Sequence, residues 1–235
     1  MRCNAEVVAV CERDDWKIKR AKERLGKDTF TVYKDFDEFI KHDMDAVFLC
    51  NRFDDHTKYA IKCLEHGIHV LSETTSNSTM AEGVELVRAV EKSKAIYMLA
   101  ENYPFMKFNL EMKKVYENGT LGKALFCEGE YNHPSQSSPR SVKELMPYDK
   151  HWRRYLPRTY YLTHSLAPLM WITGATPKRV TAMPVYEPQM MSSGYVGDIG
   201  AIMTVLNDDN SVFRITGHSS FGGEDNAYRF CCEKE

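Results

Sequence analysis

The stretch DAVFLCNRFDDHTKYAIKCLEHGIHVLSE, residues 45–73, decides the fold. DAVFLC is a short apolar run, DDHTKYAIKCLEHG carries a helical pattern, and IHVLSE opens a second apolar run. Strand, helix and strand in that order make a right-handed crossover between parallel neighbours. The same alternation extends both ways: AEVVAVC with DWKIKRAKERLG and FTVY with DFDEFIKH upstream, TMAEGVELVRAVEKSK and IYMLAE with FMKFNLEMKKVYENG downstream. Strand and helix pairs repeated in this way predict an α/β fold with a doubly wound parallel sheet. Strands that are nearly continuous apolar runs are expected to be buried on both faces. Gly26, Gly67 and Gly119 fall where helices need left-handed ends, and Asp54 and Ser78 are the expected N-caps.

After KALFCEGEYN the pattern changes. A polar segment from His133 to Arg158 leads to one helix, followed by KRVTAMPVYEP, AIMTVLN, SVFRITGHSS and AYRFCC, with GDIG, NDDNS and FGGEDN between them. Strands joined by such turns predict a mainly antiparallel sheet. The expected units are residues 1–121 and 122–235, divided near Leu121 to Lys123. No internal repeat or low-complexity tract interrupts them.

Composition bounds the function. The chain has 235 residues, 43% hydrophobic and 27% charged, an ordinary globular balance. Its 31 basic and 33 acidic residues form no basic block, which argues against nucleic acid or an anionic membrane as partner and for a small molecule. Seven cysteines without a CxxC pair are expected to be reduced, mostly buried thiols. No apolar run approaches the roughly 20 residues of a membrane helix, and MRCNAEVVAVC lacks a signal-peptide pattern, so a cytoplasmic location is expected.

A doubly wound sheet binds ligands beyond the carboxyl ends of its strands. EVVAVC is followed by Glu12, placed where a dinucleotide fold puts its ribose-binding carboxylate, and by Arg13, which would favour a 2′-phosphate. The glycine-rich turn that belongs roughly 20 residues before such an acid is missing. Either the protein does not bind a dinucleotide or the chain begins inside the domain.

The succession from DAVFLC to HVLSE, then IYMLAENYPF, ENGTLGKALFCEGEY and HSLAPLMWITGATPKRVTA, resembles the Gfo/Idh/MocA superfamily of sugar and cyclitol oxidoreductases. The resemblance implies a Rossmann-like domain that binds NAD or NADP, here lacking its first strand, followed by an α+β domain whose sheet also stops early; the chain is expected to be a fragment. It implies that Asn51, His56, Glu73 and Asn102 line the nicotinamide nucleotide. On the residues alone, His56 is a first-turn helix residue, Glu73 a cap for the helix of NSTMAEG, and Asn102 a turn residue. The family's Glu-Lys-Pro motif reads Glu73, Thr74, Thr75 in this chain, so the cation that orients cofactor and substrate is absent.

His164 lies in RTYYLTHSLAPLMWITG, residues 158–174. Taken alone, it is a structural histidine in an apolar helix. The resemblance implies instead an acid/base for a sugar hydroxyl, because the family's dehydrogenases carry a histidine ten residues before the closing glycine, the spacing of His164 to Gly174. Their aspartate four residues before the histidine is Tyr160 here. YLTHSLAP is similar to the YxTHGLGP pattern of NAD-dependent glycoside hydrolases such as α-N-acetylgalactosaminidases, with Tyr161 and Thr163 in register. Those enzymes oxidise a ring hydroxyl, eliminate the aglycone, add water and reduce. Tyrosine and histidine could divide the proton transfers, but a phenol with a pKa near 10 needs a cation beside it; the alternative for Tyr160 and Tyr161 is packing.

Further pocket residues are expected from Glu130, which shares a strand face with Glu128, and from His133 just beyond. Trp152 can stack on nicotinamide or a sugar, and Arg153 can bind hydroxyls or charge. The spacing of His133 and the glutamates matches no zinc signature, so no metal is expected. Three functions follow: an NAD(P)-dependent oxidoreductase acting on a sugar or cyclitol hydroxyl, a redox glycosidase on the same scaffold, and a non-catalytic nucleotide or sugar sensor. Weak NAD binding by this chain and a homo-oligomer of the full-length protein complete the expectations.

Overall fold

The computed structural model describes residues 4–26, 29–133, 155–187, 197–218 and 223–234. The first part alternates strands and helices: β1 (Ala9–Cys11), α1 (Asp15–Leu25), β2 (Thr31–Tyr33), α2 (Phe36–Phe39), β3 (Ala46–Leu49), α3 (His56–Glu65), β4 (His69–Ser72), α4 (Met80–Lys92), β5 (Tyr97–Leu99) and α5 (Lys107–Glu117). Every strand pair is parallel, but the strands form two ladders, β1–β2 and β3–β4–β5. Both feed one core: Ala9, Cys11 and Tyr33 pack against the cluster of Val47, Leu49, Val70, Ala60, Leu64 and Leu86.

Burial on both strand faces does not hold. Val47, Leu49, Val70 and Ser72 are buried, whereas Phe48 and Met98, joined through Leu71 in register, are 54% and 50% exposed. Helices α3 and α4 cover only the first face, and the apolar composition of a strand does not say how many layers lie over it. The cysteines also depart from expectation: among the six described, Cys63 and Cys127 are buried and Cys50 is exposed.

Helix ends follow local chemistry. Gly26, Gly67 and Gly119 have φ of 97°, 74° and 76° at the predicted helix ends. The N-cap of α4 is Thr79 rather than Ser78: Thr79 Oγ1 accepts the Glu82 N–H at 3.2 Å, and the Glu82 carboxylate accepts the N–H groups of Thr79 and Ser78 at 3.0 and 2.8 Å. Asp54 lies in a 3-10 turn, Phe53–Asp55, and pairs with Arg52 at 2.8 Å instead of capping α3.

The second part comprises β6 (Ala124–Asn132), α6 (Thr163–Thr173), β7 (Pro177–Val185), β8 (Gly200–Asn207), β9 (Val212–His218) and β10 (Asp225–Cys232). The sheet order is β10-β6-β9-β8-β7, antiparallel except for the β6–β9 pair. Helix α6 lies on the face formed by Cys127, Phe213 and Ile215, burying Leu169 among them. It approaches so closely that a Cβ on Gly129 would strike the Ser165 carbonyl oxygen, and one on Gly217 would strike Leu162. On the opposite face Glu128 receives Arg214 and Arg229, each at 2.6 Å. The two parts meet where α5 packs on α6, with Lys113 Nζ donating to the Trp171 carbonyl at 2.8 Å.

Candidate active site

The packing of α6 against the turn Tyr103–Phe105, which follows β5, brings Glu101 and His164 together. Glu101 stands two residues past Leu99, and His164 is the second residue of α6. Glu101 Oε1 lies 2.7 Å from His164 Nδ1, and each residue is 7% exposed. Oε1 also accepts the Tyr103 N–H at 3.1 Å. Burial pushes the Glu101 carboxyl up, but the hydrogen bond and charge of His164, helped by the Tyr103 amide, outweigh it and hold the group below the ordinary range. An ionised carboxylate only accepts hydrogen bonds, so Nδ1 carries a proton and Nε2 is the ring nitrogen left to face a ligand.

Three tyrosines wall the imidazole. Tyr103 stacks at 4.4 Å, while Tyr131 and Tyr161 meet it edge-on at 4.6 and 5.2 Å. Behind them Tyr228 donates its hydroxyl to the His164 carbonyl at 2.6 Å, and buried Asn109 donates to the Tyr103 carbonyl at 2.8 Å. Burial raises the Tyr228 phenol far above its ordinary range, so it is a fixed donor. The guanidinium of Arg158 sits 5.5 Å from the centre of the Tyr161 ring. Tyr160 points outward, 42% exposed.

Glu130 is the clearest departure among the expected substrate residues. The helix covers the face of Cys127, Gly129 and Tyr131, so strand alternation turns Glu130 to the other face, where it accepts Asn132 Nδ2 at 3.4 Å. Tyr131, one residue along, is the strand residue that stands beside His164. His133 stacks on Tyr131 at 5.9 Å and pairs with Glu224 at 3.2 Å. Trp152 and Arg153 lie outside the described residues.

On the cofactor side, Glu12, Asn51, Glu73 and Asn102 follow β1, β3, β4 and β5 at their carboxyl ends. Glu12 Oε1 accepts the N–H groups of Arg13 and Asp14 at 2.7 and 3.0 Å, and Oε2 pairs with Lys17 at 3.3 Å. Asn51 donates to the Arg52 carbonyl at 3.2 Å, Glu73 accepts the Thr74 N–H at 3.2 Å, and Asn102 opens the turn Tyr103–Phe105. His56 is placed differently: it is 1% exposed, its Nδ1 meets the Thr75 carbonyl at 2.6 Å, and it supports the loop after β4 from beneath.

Sequence reasoning missed Glu101, Tyr103 and Tyr131. Glu101 obeys the strand-end rule that singled out Glu12, and applying it to AENYPF would have found it. For Tyr131 the only available signal was the alternation that also marked Glu130.

Comparisons with known proteins bear on the fold that holds these residues. A family model described as an oxidoreductase family with an NAD-binding Rossmann fold, Gfo/Idh/MocA, matches residues 1–101. An α-N-acetylgalactosaminidase of Bacteroides fragilis is 27% identical over 178 residues, 71% of this chain and 42% of that protein. A glycosyl hydrolase family 109 protein of Phocaeicola vulgatus is 26% identical over 175 residues, 70% of this chain. The chain thus spans about 42% of the length of these relatives. Among solved structures, scyllo-inositol dehydrogenase from Lactobacillus casei with bound NAD(H) and scyllo-inositol superposes with a TM-score of 0.80 at 18% identity, covering 97% of this chain and 66% of that one. Myo-inositol 2-dehydrogenase from Lactobacillus plantarum gives 0.79 at 18% identity, covering 98% and 67%. The chain therefore shares the fold of these dehydrogenases, and its residues 1–101 match the Gfo/Idh/MocA oxidoreductase family model with its NAD-binding Rossmann fold.

Proposed function

We propose that the chain carries the catalytic site of an NAD(P)-dependent oxidoreductase acting on a hydroxyl of a sugar or cyclitol. The buried Glu101–His164 pair, held at 2.7 Å at the end of a parallel strand, carries this reading. Glu101 fixes the ring tautomer and Nε2 takes the hydroxyl proton, while Tyr103 and Tyr131 hold the ring in orientation. A nicotinamide, when bound, supplies the hydride acceptor for the same carbon. Glu12 fits the ribose hydroxyls, because each carboxylate oxygen has two acceptor sites and its present partners leave capacity. Arg13 beside it is the residue that would favour a 2′-phosphate, and Asn51, Glu73 and Asn102 complete the same edge. The relationship to inositol dehydrogenases supports the substrate class. A cytoplasmic homo-oligomer belongs to the same reading.

The contact of Tyr161 with His164 at 5.2 Å supports a second reading, a redox glycosidase, as does the similarity to an α-N-acetylgalactosaminidase. Here Tyr161 and His164 share proton abstraction next to the oxidised carbon and protonation of the leaving group.

One assay separates the readings. The protein is incubated with NAD or NADP and a panel of free sugars, cyclitols and aryl glycosides, and reduced nicotinamide and released aglycone are followed together. Reduced nicotinamide in proportion to a consumed free polyol is the expected result. Aglycone release that requires NAD without its net reduction supports the glycosidase instead, and neither signal on any substrate overturns both.

A further inference from the structure

The turn Arg158–Tyr160, which leads into α6, carries a cation that the proposed chemistry does not use. Arg158 is only 6% exposed, and its Nε has no hydrogen-bond partner among the described residues. The carboxylate nearby, Asp198, is 4% exposed and engaged elsewhere: Oδ1 accepts the N–H groups of Arg158 and Thr159, and Oδ2 accepts the Thr159 hydroxyl at 3.0 Å. The other buried acid of the site, Glu101, is held by His164. A buried guanidinium donor without an acceptor is unfavourable, so its retention asks for an oxygen that arrives from outside.

The position of that donor is defined from two sides. Arg158 lies 5.5 Å from the Tyr161 ring, which in turn lies 5.2 Å from His164. Burial and the Arg158 charge together lower the basicity of His218, opposed by Glu130, so the guanidinium also faces the end of β9. His218 pairs in register with Asn132 at the ends of the two strands, on the sheet face of Glu130, so the placement beside His164 rests on the Tyr161 contact. The cation therefore stands at the rim of the tyrosine cluster around His164.

We propose that Arg158 is the specificity residue for a carboxylate on the substrate, which narrows the sugar class of the proposed function to sugar acids. The proposal rests on the placement of the reacting site at His164 and names the substrate class that site takes. A guanidinium fork matches one carboxylate in a bidentate pair. A phosphate dianion would call for a second cation, and the carboxylates bonded to Arg158 and His164 among the described residues, Asp198 and Glu101, only add negative charge.

Calorimetric titration at neutral pH tests this with D-glucuronate and D-galacturonate against the corresponding uronamides and the neutral parent sugars. At least tenfold tighter binding of one acid over its own amide is expected, as for a charge-assisted pair. In Arg158→Gln that ratio should fall to about one, and in Arg158→Lys, which keeps the charge and loses the fork, it should be intermediate. The comparison within the unaltered protein stands even if a variant misfolds. Equal affinity for acid and amide, or binding of neither, overturns the proposal. Acid preference without nicotinamide reduction on any substrate would retain the subsite and remove the oxidoreductase reading. Reduction driven by neutral polyols without acid preference would do the reverse.

Discussion

His164 acquires a defined proton inventory from Glu101, because the carboxylate can only accept and so directs the ring proton to Nδ1. His164→Ala should lower turnover by about 10²- to 10⁴-fold in the nicotinamide assay, the range for loss of a positioned acid/base. Glu101→Gln keeps the shape but can no longer accept as an anion, and its loss should appear mainly in kcat, with KM little changed. Acid stability provides an independent readout. The folded-state pKa of Glu101 lies below its ordinary 4.5, so the pair contributes stability above the unfolded value, and that contribution is lost as pH falls through the folded one. Denaturation midpoints measured from neutral pH downward should decline less steeply in Glu101→Gln than in the unaltered protein; equal slopes would refute a stabilising role for the carboxylate. Glu101 was legible in AENYPF by its place after a strand, but its partner was not, because 63 residues of chain separate the two side chains.

Helix α6 presents His164 at the required depth because β6 and β9 offer glycines beneath it. Gly129→Ala should force the helix off the sheet at Ser165, costing about 1–3 kcal/mol or more as an overpacked contact and reducing activity through displacement of His164. Gly223→Ala is the matched control, since a Cβ there meets nothing within 4 Å. Chemical denaturation and turnover measured on both variants check the pair, and similar losses would contradict the close-approach argument. At α4, Thr79→Ala should lower stability by about 1 kcal/mol, because it opens a capping box that includes the Glu82 side chain. The helix ends at Gly26, Gly67 and Gly119 could be read in advance because positive φ selects glycine locally. The cap one residue away from Ser78 could not, since adjacent Ser and Thr offer similar acceptors and the path of the entering chain chooses between them.

Across the whole molecule, the face of β3–β5 opposite the core leaves Phe48 and Met98 half exposed, with Ile96 at 66% exposed nearby. A parallel sheet ordinarily covers both faces, so this apolar surface should favour self-association. Phe48→Thr combined with Met98→Thr should shift sedimentation velocity profiles towards monomer while leaving the circular dichroism spectrum unchanged; a fully monomeric unaltered protein would contradict this. The order of strands and helices, the change from parallel to antiparallel pairing and the positions of the strand-end acids were all determined by the sequence itself, because periodicity, glycine φ and turn chemistry act over a few residues. Only the tertiary structure decided that the parallel strands form two ladders with one open face, that Tyr131 rather than Glu130 faces His164, and that Glu101 and Arg158 border the site. Each of those depends on which layer packs over which face, a long-range choice made by total burial and steric fit that no local window of residues contains.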